Sequence, residues 1–221
     1  MEIYYKESDI LLCTDKPIDK QYVKDLMVKH YDLIAAYIDK RPQFQSSLSP
    51  IDTDGTAPLI VQDMLKCSRY TGIGPFASVA GAISHYVGME IIKHVNEVII
   101  ENGGDLFLKI TEDKEIGVYL GSNFKPDEIT IKVKKRSGPF GIASSSSTIG
   151  HSLNFGKTDL VTVIAKDSIA ADGFATALSN RIKREEDAGV VLKDAQDSPL
   201  IDGIIIAFNK KIYLWGDLEV I

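Results

Sequence analysis

Apolar residues recur at two periods along this chain, and the switches between them mark out its elements. Glu2–Tyr5 and Ile10–Cys13 read as short strands. From Asp19 to Lys40 the period lengthens: Val23, Leu26, His30, Leu33 and Tyr37 fall three or four residues apart, the spacing of a helix with one buried stripe. His30 lies on that stripe and reads as a core-edge histidine rather than a ligand. Ser, Pro, Gln and Gly then break the pattern over Arg41–Pro58, which predicts an exposed loop. Within it, DTDG (Asp52–Gly55) opens like a calcium loop but lacks the later acidic ligands, so it reads as turn chemistry. Helices follow over Pro58–Arg69 and Phe76–His94, the latter with Phe76, Val79, Ala80, Ile83, Val87 and Ile91 as its apolar stripe.

The second half is mostly strands. Asn96–Ile100 and Leu106–Ile110 flank NGGD (Asn102–Asp105), whose two glycines permit the positive φ angles of a tight hairpin. Ile116–Leu120 and Ile129–Val133 continue the sheet. Leu160–Ala165 has almost no polar side, the mark of a strand buried on both faces. A helix over Ala170–Arg184 precedes strands Gly203–Phe208 and Lys211–Trp215, joined by a polar turn at Asn209. The mixture predicts an α+β fold of mainly antiparallel sheets packed with helices, in one domain over residues 1–221.

Composition narrows the function classes. With 44% hydrophobic and 25% charged residues, the chain is neither disordered nor membranous. A net charge of -6 and a pI near 5.3 argue against nucleic acid as a partner. The one strongly basic run, Lys132–Arg136, alternates with apolar residues and reads as the solvated face of a strand. No stretch approaches the roughly 18 apolar residues of a membrane span. MEIYYKESD lacks the basic leader and apolar core of a secretory signal, so a cytoplasmic location is expected. Cys13 and Cys67 form no CxxC and read as free thiols. A compact acidic chain with an exposed loop is also a candidate homodimer.

The candidate chemistry gathers in ASSSSTIGHS (Ala143–Ser152) and ADGFAT (Ala171–Thr176). Residues four apart share a helix face, so Asp172 and Thr176 point two oxygens at one object. Ala170, Phe174, Ala177, Leu178 and Ile182 fall on the opposite side, which leaves the Asp172 face free of the core. Two hard oxygen ligands suit Mg2+, which completes its shell with water or phosphate. GIGP (Gly72–Pro75) offers open N–H groups to an anion at the start of the next helix. Ser144–Ser147, His151 and Asp172 include a triad's residue types, but without a G-x-S-x-G elbow the serines read as a polar turn.

Taken in order, ENGGDLFL (Glu101–Leu108), GIASSSSTIGHS (Gly141–Ser152), LVTVIA (Leu160–Ala165) and ADGFATAL (Ala171–Leu178) resemble the signature of the ApbE superfamily. The resemblance runs from Gly72 to Ser179 and is strongest to a short, largely uncharacterised archaeal and anaerobic-bacterial branch. It implies a two-lobed fold with its cofactor in the cleft. It also implies FAD as the flavin nucleotide, and Mg2+-dependent cleavage of FAD, with FMN passed to a threonine of an acceptor protein. Carried over by position, Asp172 and Thr176 are the metal ligands. Asn102, Gly103, Gly104, Asp105, Ser144, Ser145 and Ser146 bind the cofactor, and His151 and Asp172 are catalytic.

The chain also departs from the family. ASVAG (Ala77–Gly81) has no Lys where flavin transferases carry G-x-x-K-G, and the aromatic residue often found after the Ser-Gly pair is absent. Ser152, Leu153 and Asn154 follow His151 where those enzymes have Ile-x-Asp-Pro. An FMN transferase or FAD pyrophosphatase therefore stands beside two alternatives. One is a flavin- or nucleotide-binding module without turnover. The other, implied by the branch alone, is an accessory protein in anaerobic sulfide assimilation towards homocysteine.

Overall fold

The structure, a computed structural model, describes residues 1–147 and 155–221. Its strands are β1 (Glu2–Tyr5), β2 (Ser8–Thr14), β3 (Val98–Asn102), β4 (Asp105–Lys109), β5 (Lys114–Tyr119), β6 (Glu128–Val133), β7 (Phe140–Ser145), β8 (Leu160–Ala165), β9 (Ile201–Phe208), β10 (Lys211–Gly216) and β11 (Glu219–Val220). Its helices are α1 (Lys20–Lys40), α2 (Gln43–Ser46), α3 (Leu59–Thr71), α4 (Val79–Ile91), α5 (Ser168–Arg181) and α6 (Glu185–Asp197). Among the described residues eight strands form one antiparallel sheet in the order β1-β2-β3-β4-β7-β8-β9-β10, and three form a second, β11-β6-β5.

Period-two alternation sorts the large sheet's side chains onto its two faces. Val98, Ile100 and Phe107 pack with α1, α3 and α4, while Ala143, Val161, Val163, Ile204 and Ile206 pack with α5 and α6. The intervening Phe140, Ile142, Leu160, Ile164 and Ile205 turn the other way, onto Val118, Ile131 and Val133 of the small sheet. The result is the expected α+β, two-lobed arrangement: two helical groups on one face of the sheet, meeting where α4 packs on α5. With apolar layers on both sides, β8 is buried at all six positions, which explains its lack of a polar face.

Several boundaries differ from the sequence expectation. The helix expected over Phe76–His94 is a 3-10 turn at Pro75–Ser78 followed by α4 proper. The serines expected in a turn enter a strand, because Ser144 and Ser145 pair with Thr162 and Val161 of β8. The Ala170 helix starts two residues earlier, where Asp167 Oδ1 accepts the Ala170 N–H at 2.8 Å and caps α5. Helix α6 was not anticipated, although Ala188, Val191 and Ala195 give it a buried stripe at helical spacing. The basic run dissolves into ion pairs, Lys132 with Asp113, Lys134 with Asp217 and Arg136 with Asp202. In the DTDG turn, Asp54 Oδ1 accepts the Thr56 N–H at 3.0 Å and its hydroxyl at 2.6 Å, an Asx turn. Among the described residues no helix is long and apolar enough to cross a membrane.

His30 is more deeply placed than the core edge. It is 6% exposed, lies 5.2 Å from the Tyr86 ring, and neither ring nitrogen has a hydrogen-bond partner. Burial, with a smaller push from Lys29, lowers its pKa from 6.5 to about 4. The unfolded chain therefore takes up the proton first, and stability falls as pH drops from about 6.5 to about 4. His30→Leu removes this dependence. Urea midpoints should show the variant gaining on the wild type as pH falls through that window, and a constant difference would contradict a neutral His30.

Candidate functional site

The first turn of α5 is wedged between α4 and β7, and two glycines make the wedge possible. A Cβ on Gly81 would stand 2.2 Å from the Ser168 carbonyl oxygen, and one on Gly141 would stand 2.3 Å from Ser168 Cα. In that space Ser168 Oγ donates to the Gly81 carbonyl at 2.8 Å. One turn further along α5, Asp172 Oδ2 accepts the Gly81 N–H at 2.9 Å. Gly81 is in the first turn of α4, where N–H groups have no acceptor within their own helix. Asp172 thus caps α4 from a neighbouring helix.

The hairpin between β3 and β4 approaches the same place. Asn102 pairs with Asp105 across a two-residue turn in which Gly103 and Gly104 have φ of +65° and +98°, the mirror-image geometry that suits strand twist. Space beside both glycines is open. Asn102 Nδ2 donates to the Ala80 carbonyl at 3.3 Å. Asp105, on the same sheet face as Phe107, turns towards α4 and α5.

Asp105 and Asp172, remote in sequence, therefore share one buried environment. Burial is the larger cause that pushes Asp105 well above the ordinary carboxylate range, and the charge of Asp172 adds to it; the Ser144 backbone N–H opposes. Burial likewise raises Asp172 to about 7 against the Gly81 hydrogen bond. Among the described residues no cationic side chain acts on either carboxylate. Nearby, the Cys67 thiol donates to the Ile169 carbonyl at 3.3 Å and is pushed up to about 12, chiefly by burial, which leaves it unreactive.

The structure gathers some of the sequence-predicted residues and separates others. Asn102, Asp105 and Asp172 converge, with Gly103 and Gly104 at the hairpin tip. Thr176 lies one turn beyond Asp172 on α5. The expectation that this side of α5 is free of the core is corrected: Asp172 and Thr176 are each 8% exposed, because α4 packs against it. The serines do not act as one set. Ser145 shares the α5 side of β7 with Ala143, whereas Ser144 Oγ faces Thr162 Oγ1 at 2.8 Å and Ser146 Oγ donates to the Asp159 carbonyl at 2.6 Å. His151 lies outside the described residues. Gly81, Gly141 and Ser168 were not anticipated as site residues; the small-residue run ASVAG carried the signal for the first.

A slot of about 280 Å³, partly walled by the polar Glu7, Ser8, Tyr31 and Gln45, reaches Asn102 but is lined by neither Asp105 nor Asp172. Ile34 and Ile38 of α1, Phe76, and Val79 and Ile83 of α4 wall it, and Asn102 closes one end. Ala80 also lines it, and the Ala80–Gly81 peptide links slot and site, its carbonyl accepting from Asn102 and its N–H donating to Asp172. A more open hollow of about 590 Å³ beside Tyr70, Phe174 and Leu178 lies on the side of α5 away from Asp172.

The family described as AbpE bacteria matches residues 1–202. The chain is 36% identical to a UPF0280 protein of Methanocaldococcus jannaschii, over 98% of this chain and 90% of the relative. It is 34% identical to one from Methanococcus maripaludis, over 95% and 87%. In fold it is similar to a mutant of the flavin transferase ApbE from Vibrio cholerae, with a TM-score of 0.62 and 14% identity over 98% of this chain and 97% of that one. It is likewise similar to the ApbE protein of Thermotoga maritima, at 0.59 and 12% over 96% of each. The chain belongs to the ApbE family, in an uncharacterised branch with archaeal UPF0280 relatives.

The electrostatics of Asp172 predict a pH dependence opposite in sign to that of His30. A carboxylate raised to about 7 in the fold from its ordinary 3.8 holds its proton longer in the native state, so its contribution is full below about 4 and is lost as pH rises through 7. Asp172→Asn should remove that loss. In metal-free buffer the variant's melting temperature should gain on the wild type between pH 4 and about 7. A gain equal at all pH values would mean that Asp172 does not titrate in this range.

Proposed function

We propose that this chain binds FAD together with Mg2+ at the Asp105–Asp172 site and cleaves the FAD pyrophosphate, passing FMN to an acceptor protein. The observation that carries this reading is the pair of buried carboxylates, Asp105 and Asp172, which no cationic side chain among the described residues neutralises. The solved flavin transferase of the same fold lends further support.

The residues fit a hard divalent cation. The Gly81 N–H holds Asp172 Oδ2, and Asp172 Oδ1, Thr176 and Asp105 would supply the oxygen donors. Among the described residues no group of three or more His, Cys, Asp or Glu side chains could form a closed metal cage. That suits Mg2+, which keeps water or phosphate in its shell. Mg2+ held by Asp172 and Thr176 would neutralise charge on the phosphate oxygens.

The chain's own groups have separate tasks. The Gly81 N–H fixes the Asp172 carboxylate, and the open face of Gly103 and Gly104 lets phosphate or ring approach the backbone. The apolar walls of the slot, Ile34, Ile38, Phe76, Val79 and Ile83, would pack against a planar ring, and its polar lining, Glu7, Ser8, Tyr31, Gln45 and Asn102, would recognise the ring's edge. In the transfer, the acceptor hydroxyl oxygen bonds to the phosphorus of the FMN half and gives its proton to solvent water. The bridging P–O bond breaks, and AMP carries off the electron pair. His151, catalytic by the family resemblance, would either give a proton to the leaving phosphate or hydrogen-bond a phosphate oxygen.

A second reading is binding without turnover, favoured by one observation. Ala80, which aligns with the family's Lys in G-x-x-K-G, gives the slot a methyl group and no cation.

Thermal shift and chromatography separate the readings. FAD with Mg2+ should raise the melting temperature, by the equivalent of about 2.7 kcal/mol at a hundredfold excess over Kd. Asp172→Asn should lose the Mg2+-dependent part. AMP release with an acceptor supports the transferase, and protection without AMP release supports the binding module. Absence of protection by FAD, with and without Mg2+, overturns both.

A further inference from the structure

We propose that Lys6 holds a phosphate group of the nucleotide whose ring enters the slot, opposite the open backbone of Gly103 and Gly104; the assignment rests on the FAD reading above. Strand register brings two hairpin tips together. Ile10 of β2 pairs with Asn102 of β3, so the β1–β2 turn and the β3–β4 turn leave the large sheet at the same end. Continuing that register sets Ser8 level with Gly104, and Lys6 lies two residues, roughly 7 Å, further out. Glu7 and Ser8 line the slot from this hairpin, as Asn102 does from the other.

Lys6 occupies a costly backbone position. Tyr5 pairs with Ser8 across a two-residue turn whose first residue, Lys6, has φ of +51°. Glycine is favoured there, because a side chain crowds the backbone at positive φ. The neighbouring hairpin answers the same demand with Gly103 and Gly104, whereas this one keeps a lysine. Strain retained at a turn that borders a ligand slot points to a use for the side chain.

The ammonium group shows what that use is. Lys6 Nζ stands 4.4 Å from the centre of the Tyr31 ring and 5.5 Å from that of Tyr5. Tyr31 belongs to α1 and lines the slot, so the cation rests on the slot's wall, on the helix-covered face of the sheet to which Asp105 also turns. Among the described residues Lys6 has no ion-pair partner, and the adjacent Glu7 carboxylate accepts the Tyr31 O–H at 2.6 Å. That O–H is the largest cause holding the Glu7 carboxyl below its usual range, so Glu7 is charged and repels a phosphate at this end of the slot. Lys6 offsets the repulsion, which Ala80 cannot do. A lysine lying on ring faces is free to swing on its four-carbon stem, and a phosphate gives it the stronger, charge-assisted bond.

Calorimetric titrations with Mg2+ and no acceptor protein compare FAD with riboflavin and adenosine, which carry its two rings without phosphate. Lys6→Met should weaken FAD about tenfold, the loss of one charge-assisted hydrogen bond, and leave the affinity of either nucleoside-type ligand unchanged. Lys6→Arg should restore most of the FAD affinity, and added salt should weaken FAD less in Lys6→Met than in the wild type. FAD binding indifferent to Lys6→Met, or an equal loss for FAD and a phosphate-free ligand, would overturn the assignment and leave the FAD reading in place. A wild type that does not bind FAD would overturn the reading and the assignment together.

Discussion

The contact between α4 and α5 at Gly81 is the constraint on which the rest of the site depends. α4 belongs to the apolar core over β1–β4, and α5 to the core over β7–β10. Apolar contacts alone do not fix the register of two helices, since such packing is non-directional. The paired hydrogen bonds from Ser168 and to Asp172 do fix it, because both partner groups of Gly81 lie in a dry interface where losing either one leaves a buried polar atom unmatched. A residue larger than Gly at 81 or 141 would push α5 away and separate Asp172 from the hairpin. One close approach therefore joins the two halves and sets the distance between the carboxylates.

How much of this was legible in the sequence depended on whether the signal was local. The NGGD hairpin was readable because a two-residue turn with both φ positive is a demand on two adjacent residues, and glycine answers it. The shared side of Asp172 and Thr176 followed from helical periodicity, and the depth of β8 followed from its uninterrupted apolar run. What failed was non-local. Serine is a weak strand former, but pairing between β4 and β8 overrides that preference and draws Ser144 and Ser145 into β7, where alternation sends them to opposite faces. The partnership of Asp105 with Asp172 has no sequence signature, because only the crossing of the hairpin with α5 creates it. The expected open face of α5 was wrong for the same reason: a helical wheel shows which side is polar and not what will be packed on it.

The buried histidine and the buried carboxylates show one cause acting with two signs. Removal from water disfavours the charged form of each. His30 becomes a weaker base and the two aspartates become weaker acids. The difference lies in what each site can still gain. His30 is enclosed by aromatic and aliphatic groups and has no hydrogen-bond partner, so it is a pure packing cost. Asp105 directly follows the open glycine turn of Gly103 and Gly104, so this site has open space beside it. An uncompensated buried charge that can reach a ligand is a candidate site, whereas one that cannot is a feature of the core.

The small sheet completes the argument about position. By covering the far face of β7, β8 and β9, it makes the scaffold beneath α5 buried on both sides, and Arg136 and Lys166 converging on Asp202 tie strand ends together at its margin. Geometry held on such doubly packed elements is more sharply defined than geometry held on loops. The side chains that must stay fixed, Asp172 and Asp105, sit on a helix and a strand of that scaffold. Gly103 and Gly104 form the hairpin tip, where the space beside the backbone is open. The division places rigidity at the carboxylates and open space at the turn.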